Sequence, residues 1–148
     1  MLEWLAQADN SYHISGGDSI LLNTMKDMLV ISLGAIFGAN ARWIISRYLA
    51  KAISPWFPYG TLVINVSGSF MVGFFMIWAT ERVLIDPRWR LLIVVGFCGA
   101  YTTFSSFAYE TMALFEQGQW GLMATNFVSN NLLCLLAALG GMALARAL

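Results

Sequence analysis

The chain has 148 residues, 59% of them hydrophobic and 11% charged, and no formal net charge. Soluble domains carry about 25% charged residues, so the composition and a mean hydropathy of +0.68 exclude an ordinary soluble fold and point to a membrane protein of one compact domain. The charge balance gives no reason to expect nucleic acid or an acidic partner.

Residues 1–27, "MLEWLAQADNSYHISGGDSILLNTMKD", are mixed and polar. They lack the positive start and the immediate apolar core of a signal peptide. They are expected to form a flexible or surface-lying extension ahead of a membrane domain covering residues 28–148. His13, the only histidine, lies in this stretch with no clustered acid or cysteine, so no catalytic residue and no enzymatic activity is expected.

Four apolar segments follow: Met28 to Ala50, Gly60 to Thr80, Leu91 to Phe115 and Leu122 to Ala145. Each reaches the ~20 residues that a helix needs to cross ~30 Å of hydrocarbon. The expected fold class is therefore an all-α membrane protein with four transmembrane helices. Trp43, Trp56, Trp89 and Trp120 fall near the segment ends, where an aromatic belt belongs. Such a bundle is too small to enclose a wide pore alone, so assembly is expected. Both termini would share one side with Lys26, Arg82, Arg88, Arg90 and Arg146, leaving Arg42, Arg47 and Lys51 opposite. That is a weak positive-inside bias, which permits insertion in both orientations and hence an antiparallel dimer.

The polar residues inside the segments carry the functional signal. In the first, Gly34 and Gly38, with Ala35 and Ala39, form a small-residue ridge for close helix contact. Arg42, one turn further on, either snorkels to the interface or makes a positive vestibule. In the second, Asn65 precedes Gly68 and Ser69; its amide either bonds to another helix or offers a neutral donor to an anion. The third contains "GFCGAYTTFSSFAYE", with Gly96, Gly99, Thr102, Thr103, Ser105 and Ser106. Glycines and hydroxyls there predict a helix break near Gly99–Thr103, against the alternative of an unbroken helix whose hydroxyls bond back to their own turn. A break survives at membrane depth only when buried or lining a cavity, and its free carbonyls suit a hard cation such as Na⁺. Phe104 and Phe107 follow one turn apart. They either pack or present positive ring edges to a small anion. Glu110 lies about ten residues from the break, near the membrane surface. In the fourth segment Asn126 and Asn130 share a stripe, which suggests a wet or paired face. Cys98 and Cys134 sit in apolar stretches and read as buried free thiols.

Three of these stretches, "GAIFGANARW", "PYGTLVINVSGSF" and "GFCGAYTTFSSF", resemble the patterns GxxxGAxxRY, GTLxxNxxGSFxxG and GFCGGxTTFSTF of the CrcB/Fluc fluoride channels. The resemblance covers about Met28 to Leu148, in order. It implies a four-helix subunit in the inner cell membrane that pairs antiparallel with a second copy, in dual topology, and passively exports fluoride through two pores. Asn65, Phe104, Phe107, Ser105, Thr103, Asn126 and Asn130 would then line the fluoride path, with Arg42 in its vestibule and Thr61 and Glu110 on a polar exit. A structural Na⁺ at the dimer interface would be held by the backbone carbonyls of Gly99 and Thr102. Ala100 stands where the pattern has a second glycine, and Ser106 where it has threonine. A proton-coupled exporter of the small multidrug-resistance type would need a carboxylate deep in the first segment, which has none after Asp27. A purely structural subunit would not explain Asn, Thr, Ser and Phe placed in order on three helices.

Overall fold

The computed structural model describes residues 17–53, 56–82 and 86–148. His13 and most of the expected extension lie outside them. The described residues form helices joined by short turns, with four stretches long and apolar enough to cross a membrane: Ser19–Ala52, Tyr59–Glu81, Pro87–Glu116 and Trp120–Ala147.

Helix α1 is Gly17–Ala52 and runs without interruption across residues 27 and 28. Its 36 residues at ~1.5 Å each give about 54 Å, well beyond the ~30 Å hydrocarbon thickness. Helix α2 is Tyr59–Ile77 and continues as wider π-helical turns over Trp78–Arg82. Helix α3 covers 87–101: a first turn Pro87–Arg90, a π-helical stretch Leu91–Cys98 and a last turn Gly99–Tyr101. Helix α4 is Phe104–Glu116 and α5 is Trp120–Ala147. Local chemistry places several ends. Asp86 accepts from the Arg88 amide at 2.8 Å with Pro87 at the first helical position, both favoured at a helix start. Gly118, at φ +71°, supplies the left-handed residue that ends α4.

Two helix pairs carry the packing, α1 on α3 and α2 on α5. Both are set by glycine. A Cβ on Gly34 would lie 2.8 Å from the Phe97 amide nitrogen, and one on Gly96 would lie 2.5 Å from the Ile31 carbonyl oxygen. In the second pair, a Cβ on Gly73 would lie 3.0 Å from the Ala138 backbone, and one on Gly141 would lie 2.8 Å from the Phe74 nitrogen. Backbone meets backbone at these points, and dispersion between close main chains replaces the hydrophobic drive that lipid does not provide. The small-residue ridge expected on the first helix is therefore used through Gly34 and Gly38, both buried. Trp43, Trp56, Trp89 and Trp120 are exposed. Arg88–Asp27 at 3.4 Å and Arg146–Glu81 at 3.5 Å are solvent-accessible pairs of small energetic weight.

Neighbouring glycines on α5 give a controlled test of this packing. Gly141→Ala forces a methyl against the α2 backbone and should cost about 1–3 kcal/mol. Gly140→Ala meets nothing within 4 Å and should be neutral or stabilising by up to about 1 kcal/mol through helix propensity. Denaturant unfolding of the purified protein in detergent measures both; equal losses would remove the close approach as a packing determinant.

Candidate functional site

Helical geometry lapses between α3 and α4. Thr102 has φ −78° and ψ 158°, and Thr103 has φ −151° and ψ 110°, both extended. Two extended residues displace the hydrogen bonds that a continuous helix would make. The Thr103 amide, which would close a turn on the Gly99 carbonyl, instead donates to Asn65 Oδ1 at 2.8 Å. The Ser106 amide, which would close a turn on the Thr102 carbonyl, donates to Thr103 Oγ1 at 3.2 Å. Thr103 is thus the N-cap of α4, and the Gly99 and Thr102 carbonyls lose their helical donors. The Cys98 carbonyl keeps two, the Thr102 amide and hydroxyl, both at 2.9 Å.

Asn65 on α2 answers this segment with both ends of its amide. Its Oδ1 accepts from the Thr103 N–H, and its Nδ2 donates to the Thr103 carbonyl at 3.1 Å. One side chain thereby pairs with both main-chain groups of a single residue, as a residue on a neighbouring strand would. The second Nδ2 hydrogen goes to Asn130 Oδ1 on α5 at 3.2 Å. Asn130 donates to Asn126 Oδ1 at 2.9 Å and to the Asn126 carbonyl at 3.2 Å, and Asn126 donates to Thr111 Oγ1 at 2.9 Å. Thr111 in turn donates to the Phe107 carbonyl at 2.7 Å.

A cavity of about 450 Å³ opens beside this junction. Its polar lining comes from Asn65, Ser69, Thr102, Thr103, Asn130 and Asn131, and its aromatic lining from Phe104 and Phe107. The two rings meet edge to face, with centroids 5.4 Å apart and planes at 61°. Phe107 is 5% exposed and packs on Phe127 at 6.3 Å, whereas Phe104 is 76% exposed. An edge-to-face pair turns at least one positive ring edge away from the contact, so the lining offers amide, hydroxyl and C–H donors but no formal charge. Such a lining suits a small anion held weakly. Cys134 also borders this cavity; it and the buried Cys98 are both free thiols.

A second cavity of about 600 Å³ lies towards the end where α1 stops and α5 begins. Thr61, Glu110, Tyr59, Tyr109, Trp56 and Phe57 line it, among others. Thr61 donates to Glu110 Oε1 at 2.8 Å, and the buried Oε2 has no partner among the described residues. That oxygen is an acceptor open to a donor entering the cavity.

Asn65, Thr103, Phe104, Phe107 and Asn130 therefore converge on one cavity, as do Thr61 and Glu110 on the other. Ser105 is exposed beside the first, its hydroxyl 3.3 Å from Thr103 Oγ1. Asn126 is 0% exposed and lines neither cavity, sitting behind Asn130. Arg42, half-buried on α1, borders neither. The reading of the sequence missed Thr111 and the Ser67–Tyr101 hydroxyl pair at 2.9 Å. Thr111 shares no local spacing with Asn126, so only the α4–α5 approach reveals the pair.

The profile of the family described as "CrcB-like protein, Camphor Resistance (CrcB)" matches residues 29–142. A protein of Koribacter versatilis (strain Ellin345), named "Fluoride-specific ion channel FluC", is 56% identical over 124 residues, which is 84% of this chain and 98% of the relative. A protein of the same name from Sulfurihydrogenibium sp. (strain YO3AOP1) is 45% identical over 124 residues, 84% of this chain and all of the relative. A third, from Methylococcus capsulatus (strain ATCC 33009 / NCIMB 11132 / Bath), is 45% identical over 121 residues, 82% of this chain and 53% of the relative. These relatives are named as channels and not as enzymes. With the profile spanning most of the chain and two relatives matched almost from end to end, this multi-pass membrane protein belongs to the CrcB family.

Proposed function

We propose that the chain is a fluoride-selective channel that lets F⁻ leave the cytoplasm down its electrochemical gradient. The observation that carries the reading is the uncharged cavity at the α3–α4 junction, where Asn65, Thr103, Asn130 and two edge-to-face phenylalanines stand together. Its support from kinship is the shared name of the relatives. Fluoride is small and strongly hydrated, so its path must replace water by several weak donors without trapping the ion. Here Asn65, Thr103 and Asn130 provide polar groups, and Phe104 and Phe107 provide ring edges. Ser105 extends the polar lining, and Thr61 with Glu110 continues it through the larger cavity. Arg42 raises the anion concentration from a vestibule, and Asn126 acts from behind Asn130.

The third span acts as a broken helix in this reading, and a second copy, inserted antiparallel in the inner cell membrane, completes two pores. Support comes from Gly99, Phe104 and Ser105, all exposed at the junction, and from the weak charge bias between the two sides. The Gly99 and Thr102 carbonyls fit a structural Na⁺ at that interface, because both have lost their helical donors to Asn65 and Thr103. Bound there, the cation would supply fixed positive charge that offsets the repulsion of an anion by low-dielectric walls. The chain's own part is to hold the two carbonyls apart from any hydrogen.

Two measurements check this reading. Proteoliposomes loaded with fluoride should empty at least ~10-fold more slowly for Phe104→Ile or Phe107→Ile, a barrier change of about 1.4 kcal/mol; unchanged efflux would remove both rings from the path. For the cation, thermal unfolding in detergent should shift upward when choline is replaced by Na⁺, by the equivalent of about 2.7 kcal/mol at a hundredfold excess over Kd. Identical curves in the two salts would remove the site.

A further inference from the structure

We propose that Thr111 and Asn126 are positioning residues, which set through a one-way hydrogen-bond ladder the orientation of the amides that Asn130 and Asn65 present to the cavity. The inference deepens the channel reading and rests on it for its transport readout. Its structural content stands on five consecutive bonds and their direction.

The ladder begins and ends on backbone groups that cannot reverse. At one end the Thr103 N–H is a donor, so Asn65 must turn Oδ1 towards it and leave Nδ2 for Asn130 Oδ1. At the other end the Phe107 C=O is an acceptor, so Thr111 must donate to it and accept from Asn126 Nδ2. Asn126 Oδ1 is then left for Asn130 Nδ2. Only one assignment of N and O along Asn65, Asn130 and Asn126 satisfies every rung. Reversing any one amide places donor against donor or acceptor against acceptor, and a buried unmatched group is costly. Asn126 is 0% and Asn130 4% exposed, so water does not repair a reversed rung cheaply.

The functional consequence follows from the near-identical shape of the two halves of an amide. A reversed Asn130 would turn its NH₂ on the Asn65 NH₂ and its oxygen on the Asn126 oxygen, so the Asn65–Asn130 pair that now borders the cavity would part and present differently oriented amides to an anion. Thr111 and Asn126 line neither cavity, so they do not touch an ion in either. They act by preventing that reversal. Without the Thr111 hydroxyl, Asn126 is free to rotate its NH₂ towards the Asn130 NH₂, which drives Asn130 away from Asn65. The weakest rung, Asn65 to Asn130 at 3.2 Å, is the one that gives way.

The test uses the full-length protein carrying ¹⁵N-asparagine, with Thr111→Val to remove the hydroxyl at constant shape and Thr111→Ser to restore it. Side-chain amide exchange by NMR in detergent reads the ladder without transport. The amides of Asn40 and Asn131 serve as controls, since each bonds to its own helix at an exposed site. In the unaltered chain the Asn65, Asn126 and Asn130 amides should exchange more slowly than the controls. Thr111→Val should accelerate all three by ~2–10-fold, the equilibrium weight of one neutral hydrogen bond, and Thr111→Ser should return them. Fluoride efflux per reconstituted channel should fall by a similar factor in Thr111→Val and recover in Thr111→Ser, while Thr125→Val, whose hydroxyl bonds within its own exposed turn, leaves efflux unchanged. If Thr111→Val does not assemble, Thr111→Ala carries the same expectation. Acceleration confined to Asn126, or efflux unaltered in a well-folded Thr111→Val, would overturn the proposal. An unaltered chain that passes no fluoride would overturn the channel reading instead, and the exchange rates would still decide the ladder.

Discussion

Main chain placed in hydrocarbon must find hydrogen-bond partners within the protein, because lipid offers none. At Thr103 the partner is a single side chain. The Asn65 amide accepts from the Thr103 N–H and donates to its C=O at 2.8 and 3.1 Å, and each of those groups left bare would cost about 1–3 kcal/mol. With that pairing in place, two residues can lie extended between α3 and α4 in the middle of a membrane-spanning segment. The cavity, the exposed ring of Phe104 and the released carbonyls of Gly99 and Thr102 all depend on it.

Asparagine suits this task because its amide presents an acceptor and a donor side by side, matching the N–H and C=O of one residue. Aspartate would lose the donor, and serine would not reach both groups. The arrangement also occupies Asn65 fully: both of its Nδ2 hydrogens are engaged, one with Thr103 and one with Asn130. In the proposed channel, an ion taking a donor from Asn65 would compete with an existing bond instead of filling an empty site. Weak competition of this kind would suit conduction, since a site too favourable would hold its ion.

The glycine contacts decide where this chemistry is placed. Gly34 and Gly96 bring α1 against α3, and Gly73 and Gly141 bring α2 against α5. The second contact draws Asn65 and Asn130 within hydrogen-bond distance, on helices that would stand too far apart if larger side chains lay between them. Close α2 and α5 backbones thus favour the Asn65–Asn130 rung of the polar ladder.

Much of this was legible in the residues alone. Segment length and low charge give four spans, because the thickness of hydrocarbon and the cost of burying charge act on each stretch locally. "GFCGAYTTFSSF" marks the junction, since glycine and hydroxyls weaken a helix wherever they stand, and Asn65, Phe104 and Phe107 are conspicuous as polar or aromatic groups in apolar runs. Three things were decided only in three dimensions. α1 begins at Gly17, because apolar residues such as Leu21 and Leu22 carry helix through a stretch whose composition reads as mixed. Asn126 stands behind the cavity and not on its wall, because one stripe of α5 divides its residues between Thr111 and the cavity according to depth. Thr111 is joined to Asn126 by a helix crossing between residues 15 apart in the chain. A sequence records what each segment can donate, accept or exclude along its own axis; which of those groups meet is set by how closely the backbones approach, and that distance exists only once the helices have packed.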